Sequence, residues 1–369
     1  MGSDIVNVDF DTMEKFMSDA FCAAGVSKPD ADICANVLIE ADKRGFDSHG
    51  INRLKSIYLD RIKAGIQYPM VDLNIVKEAP ATAVIDGNHG MGHVIAYKAN
   101  KMAIDKAQKY GIGMVAVRNS THYGFAGYYP LMAIKRGMIG ITGTNARPSI
   151  APTFGVENML GTNPLTFGMP TDEDFPFLLD CATSITQRGK IELYAREGKE
   201  MPEGWVIKND GTTSTDPNAA LQDLIDGVSA LVPLGGVGEE TGGYKGYGYA
   251  AVVEILSSAL QSGNYLKMLL GLNQRGKKIP YGLGHFFIAI DLEQFMGLEE
   301  FKKISGDILK ELRSSKKAPG SDRIYTPGEK EHLTWLERKD KGVPLNKQLQ
   351  QEVNEIVSQY DLKGYDFPF

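Results

Sequence analysis

The apolar pattern of this 369-residue chain changes period twice, and that limits the folds open to it. The first 65 residues carry helical periodicity. Asp11 can cap a helix over Thr12–Ala24, with Phe10, Met13, Phe16, Met17 and Phe21 as its apolar stripe. Ser27, with Pro29 in the first turn, opens a second helix that Gly45 stops after Arg44. Ser48 can cap a third over Gly50–Ala64. From about Met70 to Ile290, short β-rich runs alternate with helices. The runs are Thr82–Ile85, Gly113–Val117, Gly140–Thr144, Leu165–Met169, Phe177–Asp180, Val228–Val232 and His285–Asp291. Helical stretches fall at His93–Tyr110, Ala126–Arg136, Ile185–Glu197 and Tyr249–Leu260. Beyond Ile290 the pattern is helical again, at Leu298–Ser315 and Asn346–Gln359, with a loop over Lys317–Gly328. The expected fold class is α/β (α+β). Residues 1–70 and 292–369 would form one helical domain from both chain ends, and 71–291 an inserted α/β domain that binds a ligand.

The run Thr241-Gly-Gly-Tyr-Lys245-Gly-Tyr-Gly248 stands out within the central region. Six glycines between Gly235 and Gly246 leave the backbone bare for close approach, and Lys245 adds a positive charge. A glycine-rich loop entering a helix suits a phosphate or carboxylate, because free N–H groups and the helix dipole point outward. An anionic ligand is expected here.

A net charge of −6 disfavours nucleic acid and anionic membranes as partners. No apolar run reaches the roughly 18 residues of a membrane helix, and no charged-then-apolar leader opens the chain. Cys22, Cys34 and Cys181 have no metal spacing and cannot all pair, which fits a reducing, cytoplasmic location. His89 and His93 are four apart without a third ligand beside them, so no metal site is expected.

Several short motifs carry chemistry. In Asp47-Ser48-His49-Gly50-Ile51-Asn52-Arg53 the imidazole and guanidinium are four apart at a helix start and share a face. Arginine can grip a carboxylate with its fork while histidine exchanges a proton, a pairing suited to hydroxy or keto acids. A solvated histidine and a surface ion pair are the plainer alternative. His122, in Asn119–Gly127, follows a strand end among small residues, which is a favourable place for catalysis and equally for bracing a loop. Thr144-Asn-Ala146-Arg147 and Gly161-Thr162-Asn163-Pro164 offer amides that can hold a carboxamide or ribose, or brace turns. Asp180-Cys181-Ala182-Thr183-Ser184 ends a strand and starts a helix, so its hydroxyls can meet phosphate or cap that helix.

Two glycine patterns invite a Rossmann reading, Gly90-x-Gly92 and Gly236-x-Gly238. The first lacks a parallel strand ending in an acidic residue about twenty positions on, and the second holds two glutamates where phosphate would sit. Hydrolase elbows and phosphate-loop NTPase patterns are absent.

Taken in order, five motifs resemble the malate/L-lactate dehydrogenase family that lacks a Rossmann fold. They are Asp-Ser-His-Gly-x-x-Arg at 47–53, Thr-His-Tyr-Gly at 121–124, Gly-Thr-Asn-Pro at 161–164, Asp-Cys-Ala-Thr-Ser at 180–184 and Tyr-Lys-Gly-Tyr-Gly at 244–248. The resemblance spans about residues 10–360. The family includes sulfolactate and ureidoglycolate dehydrogenases, diketogulonate reductase and a cyclic-imine reductase. It implies a non-Rossmann NAD(P)-binding domain on a largely antiparallel sheet, flanked by the helical domain, and a homodimer.

Residue by residue, the resemblance makes His122 and His49 the candidates for proton transfer, with His122 favoured as the base. Arg53, with Ser48 and Thr162, would hold the substrate. Lys245, Asp180, Cys181, Ala182, Thr183, Asn163 and Ala146 would line the cofactor or the adjoining substrate pocket, with Gly328 and Glu329 of Pro327-Gly-Glu as a late cofactor turn. The implied reaction is reversible hydride transfer between a small 2-hydroxy acid and its 2-keto acid, malate/oxaloacetate first. Lactate, sulfolactate, a cyclic imine acid and a catalytically silent nucleotide binder are the alternatives. NAD is preferred to NADP, although Arg188 can meet a 2′-phosphate. Ala146 replaces a common serine, Cys181 a common methionine, and Tyr281-Gly282 an Arg-Asn pair of some members. Arg147 is an extra cation that can meet a second carboxylate.

Overall fold

The computed structural model describes residues 5–369. Strand β1 (Val6–Val8) leads into α1 (Phe10–Ala23) and α2 (Lys28–Lys43). The cap of α1 is Asp9, whose carboxylate accepts the Thr12 N–H, so the expected cap Asp11 lies inside the first turn. The stripe of Phe10, Met13, Phe16, Met17 and Phe21 is buried as the periodicity requires.

The third expected helix is not one regular helix. Ile51–Arg53 is a 3₁₀ turn, Leu54–Leu59 is π-helical, and only Asp60–Lys63 (α3) is α-helical. A π turn holds one extra residue and is frequent at functional sites. It resets the spacing between Arg53 and the residues that follow.

The central region contains β2 (Asn74–Glu78), β3 (Thr82–Asp86), α4 (Gly92–Tyr110), β4 (Ile112–Ser120), α5 (Tyr128–Ile134), β5 (Met138–Thr144), β6 (Leu165–Met169) and β7 (Phe177–Cys181). After these come α6 (Arg188–Glu197), β8 (Val206–Lys208), α7 (Pro217–Asp226), β9 (Ser229–Leu231), α8 (Gly243–Leu256) and β10 (Leu283–Asp291). The chain closes with α9 (Leu298–Ser314), α10 (Glu329–Arg338), β11 (Val343–Leu345) and α11 (Lys347–Gln359). Strands β1, β2, β8 and β11 and helices α7 and α10 are not apparent from the sequence pattern.

Seven strands form one sheet in the order β2-β3-β4-β10-β5-β6-β7. Every neighbouring pair is antiparallel except β3 with β4. That topology rules out a Rossmann fold, whose sheet is mostly parallel. The same alternation makes β4, β5 and β7 run in one direction. Their C-terminal ends, and the N-terminal ends of β6 and β10, therefore meet at a single edge, where four of the loops singled out above emerge.

Two local expectations fail, the first for a steric reason. Helix α8 begins at Gly243, not Tyr249, so Gly246 and Gly248 are helical. A Cβ on Gly243 would lie 2.0 Å from the Gly236 carbonyl oxygen, and one on Gly246 2.2 Å from that of Leu234. These two glycines let the chain at 234–238 pack against the helix, and this close approach is the chain's own. Helix α6 begins at Arg188, so Thr183 and Ser184 are not at a helix N-terminus.

One hydrophobic core joins α1, α2, Leu54 and Tyr58 to Val343, Leu345, Val353 and Ile356 near the C-terminus. A second packs α4 and α5 on the sheet through Ile95, Ala99, Val115 and Tyr129. A third surrounds β8 and β9.

Candidate active site

Four of the five motif segments, all but 244–248, approach one another at the loop-bearing edge of the sheet. A cavity of about 180 Å³ there is lined by Ser48, His49, His122, Ala146, Thr162, Asp180, Cys181 and Ala182, among others. It is smaller than a drug-sized pocket and suits a small acid.

The Ser48–Arg53 segment is seated from below by Asp42, at the end of α2. The buried Asp42 carboxylate accepts the Ile51 N–H at 2.9 Å. Only glycine fits at position 50, because a Cβ there would lie 1.8 Å from Asp42 Oδ1. Burial pushes the Asp42 carboxyl well above its ordinary range.

His49 and His122 face each other with nearly parallel rings, centroids 5.8 Å apart. Ser48 Oγ lies 2.8 Å from His49 Nδ1. Nδ1 of His122 is held by the Tyr58 hydroxyl at 2.6 Å, with the Gly124 nitrogen 3.2 Å away. Nε2 is thus the His122 nitrogen without a partner among the described residues. Burial pulls the His49 imidazole down to about 4, helped by the charge of Arg53. Burial also holds His122 well below its ordinary value; His49 and His93, where protonated, and the Arg61 and Arg53 guanidiniums push it the same way. Both rings are therefore neutral at pH 7, the state a proton acceptor needs.

Asp180 stands at the end of β7, where Oδ2 accepts the Gly127 N–H at 2.6 Å and Oδ1 accepts the Thr166 hydroxyl at 3.2 Å. Burial raises its carboxyl to about 6. Burial likewise raises the Cys181 thiol, which leaves it protonated and a poor nucleophile.

Other predicted residues support the site without lining it. Asn163 is fully buried: its amide donates to Glu254 and Ala250, and its Oδ1 accepts the Ala146 N–H. It braces the 145–148 loop, and no group is left for a ligand. The Thr183 hydroxyl donates to the Thr162 and Asn163 carbonyls. Arg53 donates Nε–H to the Ser48 carbonyl and has no carboxylate partner among the described residues. Lys245 is exposed on the first turn of α8, 5.7 Å from the Tyr244 ring, and does not line the cavity. Glu329 is buried, takes the Thr326 N–H and pairs with Arg323. Gly328 lines a second cavity of about 380 Å³ together with Pro176 and Leu178.

Sequence reasoning did not find Tyr58, Arg61 or Asp42. Tyr58 lies in the π turn and Arg61 follows it, so their positions relative to His49 do not obey helical spacing. Asp42 reads as one more polar residue on α2.

A cleft lined by two neutral histidines, with an uncompensated arginine on the segment that carries one of them, at the open edge of a mostly antiparallel sheet, defines a small-acid dehydrogenase site on a non-Rossmann α/β scaffold. The sequence pattern of the malate/L-lactate dehydrogenase family matches residues 8–354, and the chain belongs to that family. It is 43% identical over 359 residues to the malate dehydrogenase of Pyrococcus horikoshii, covering 97% of each chain. It is 40% identical to the L-sulfolactate dehydrogenase of Methanocaldococcus jannaschii, over 96% of this chain and 97% of that one. The crystal structure of malate dehydrogenase from Entamoeba histolytica superimposes with a TM-score of 0.94 at 46% identity, covering 99% of this chain and all of that one. The protein is a dehydrogenase, and its family implies a nicotinamide cofactor.

Proposed function

We propose that the protein interconverts malate and oxaloacetate with NAD, and that His122 transfers the proton. The observation that carries this reading is His122 itself: neutral, anchored through Nδ1 by Tyr58, and facing the cavity beside His49. The similarity to malate dehydrogenases over nearly the whole chain supports the choice of acid.

The residues present fit a dinucleotide. Strand β7 is the last strand of its sheet, so its outer backbone groups have no strand partner. The active cavity lies at one end of it, by Cys181 and Ala182, and the second cavity at the other, by Pro176, Leu178 and Gly328. Five extended residues span about 15 Å, comparable with an extended dinucleotide. Asp180, Cys181 and Ala182 would hold the nicotinamide end, and Gly328 the other. Lys245 would reach the cofactor only from the rim. When bound, nicotinamide accepts or returns a hydride.

The chain's own groups do the rest. Arg53 holds the 2-carboxylate and fixes which face of the acid is presented. In the tautomer whose Nδ1–H donates to the Tyr58 oxygen, His122 Nε2 takes the hydroxyl proton during oxidation and returns it during reduction. The Tyr58 hydroxyl, able both to donate and to accept, supports either protonation state through Nδ1. His49 orients the substrate oxygen.

The preference for NAD rests on the arginines and lysines near the cofactor path. Lys43 and Arg44 in the second cavity both pair with Glu40, and Arg188 pairs with Glu192. None is left free for a 2′-phosphate. A homodimer is favoured by the face of α8, where Tyr247, Ile255 and Tyr265 line an apolar groove of about 540 Å³ that water would otherwise cover. The three free cysteines fit a cytoplasmic location. The helical unit of 1–70 with 292–369 rests on the shared core of the two chain ends.

The test is absorbance at 340 nm with NADH and NADPH, each against oxaloacetate, pyruvate and sulfopyruvate. Oxaloacetate with NADH should dominate. Dominance of another acid would reject malate as the substrate, and preference for NADPH would reject the cofactor assignment.

A further inference from the structure

We propose that Arg61 is the residue that reads the second acid group of the substrate, with the Tyr281 ring as the platform that fixes its guanidinium. This rests on the 2-hydroxy acid reading above and deepens it, since neither Arg61 nor Tyr281 lies in a motif that carried that reading.

The first observation is a missing partner. Six arginines among the described residues are partly buried: Arg44, Arg53, Arg61, Arg118, Arg313 and Arg338. Four of them are ion-paired, with Glu40, Asp86, Glu173 and Asp47 respectively. The two without a carboxylate are Arg53 and Arg61, and both act electrostatically on His122. Withdrawing a guanidinium from water without a counter-ion is unfavourable, so a fold keeps one where a ligand supplies the anion.

The second observation is geometry. Arg61 Cζ lies 4.7 Å from the centroid of the Tyr281 ring, a cation–π contact that restrains the guanidinium, and its N–H groups have no acceptor among the described residues. Tyr281 is itself held in place: its backbone carbonyl accepts from the Asn264 amide, and its ring packs on Gly271, where a Cβ would come within 2.9 Å.

The third observation is the field. Burial weakens Arg61's hold on its proton, the neighbouring Tyr281 and Tyr58 oppose this, and Arg147 and Arg53 add to it. Arg147 is exposed, so its charge is screened by water, and Arg61 is the better-placed partner for a second anion. A monoanionic acid would satisfy Arg53 and leave Arg61 uncompensated. An acid with carboxylate or sulfonate at its far end satisfies both, and it also offsets the positive field that keeps His122 from holding a proton.

The experiment compares the wild type with Arg61→Gln, Arg61→Lys and Tyr281→Leu. The ratio of kcat/KM for oxaloacetate to that for pyruvate is measured with NADH, alongside calorimetric binding of hydroxymalonate and of glycolate. Arg61→Gln should lower the oxaloacetate-to-pyruvate ratio at least ~30-fold and weaken hydroxymalonate relative to glycolate by a similar factor. Arg61→Lys, with charge but no planar fork, should fall between, as should Tyr281→Leu. An unchanged ratio in the folded Arg61→Gln protein, or equal loss for dianion and monoanion, overturns the proposal. Sulfopyruvate as a further substrate tells a carboxylate reader from a sulfonate reader. If the wild type turns over none of these acids, the malate reading fails while the binding pair still decides Arg61: selective loss of hydroxymalonate supports it, and equal binding overturns it.

Discussion

The Tyr58 hydroxyl lies 2.6 Å from Nδ1 of His122, joining the buried helical core to the imidazole that faces the cavity. Tyr58 is fully buried, and burial drives its phenol far above the ordinary range, so it keeps its proton at every working pH. Its effect on His122 is orientation, with no net charge. Tyr58→Phe should lower kcat by about tenfold and leave KM for the acid within a factor of two, the loss of one hydrogen bond. Steady-state kinetics across pH 6–9 checks this. The pH limb assigned to His122 should also move, which simple loosening of the core would not cause.

His49 and His122 share the cavity but not the same support. Among the described residues His49 Nδ1 meets only the neighbouring Ser48 hydroxyl, while His122 is anchored from the core. His49→Asn should raise KM and lower kcat by about ten- to a hundredfold, less than the same change at His122. Parallel kinetics on the two variants would show the order.

Acid should destabilise the fold. His93 and His285 are fully buried, and burial pulls both imidazoles from 6.5 to about 3. The unfolded chain regains those protons below about pH 6.5 and the folded one does not. Their contribution to stability is therefore complete above that pH and is lost as pH falls toward 3. Each histidine contributes a slope approaching about 1.4 kcal/mol per pH unit in that window. Asp180, raised to about 6, works in the opposite sense and softens the loss. Urea unfolding at pH 7.5, 6.5 and 5.5 measures the slope, and His93→Gln should flatten it by about one histidine's share.

Gly50→Ala should cost about 3 kcal/mol, since the new methyl would meet Asp42 Oδ1 and the Ile51 N–H would lose its acceptor. Activity should fall further than stability, because the displaced segment carries His49 and Arg53. Urea midpoints and kcat/KM on the same preparation separate the two effects.

Much of this was legible in the sequence, for identifiable reasons. The stripe of Met13, Phe16, Met17 and Phe21 has helical period, and β4, β5, β6 and β10 are apolar runs bounded by turn residues. The motifs around His49, His122, Thr162 and Asp180 were legible because each couples a chemically distinctive side chain to small neighbours. The sites of Tyr58 and Arg61 were hidden by the π turn, which has no sequence signature. The glycines before and within α8 looked like a ligand loop because close backbone approach demands glycine whether the neighbour is a ligand or the chain itself. Asn163 was legible as important but not in its role, since an amide that braces a loop and one that holds a carboxamide look the same in sequence.

The most direct test of the central claim is a single-turnover measurement on His122→Gln: NADH binding followed by fluorescence, then the first NADH oxidation with saturating oxaloacetate. If His122 transfers the proton, NADH affinity should stay within a few-fold of wild type while the oxidation step slows by about a thousandfold. An oxidation step at wild-type speed would contradict the account, because the proton would then come from another group.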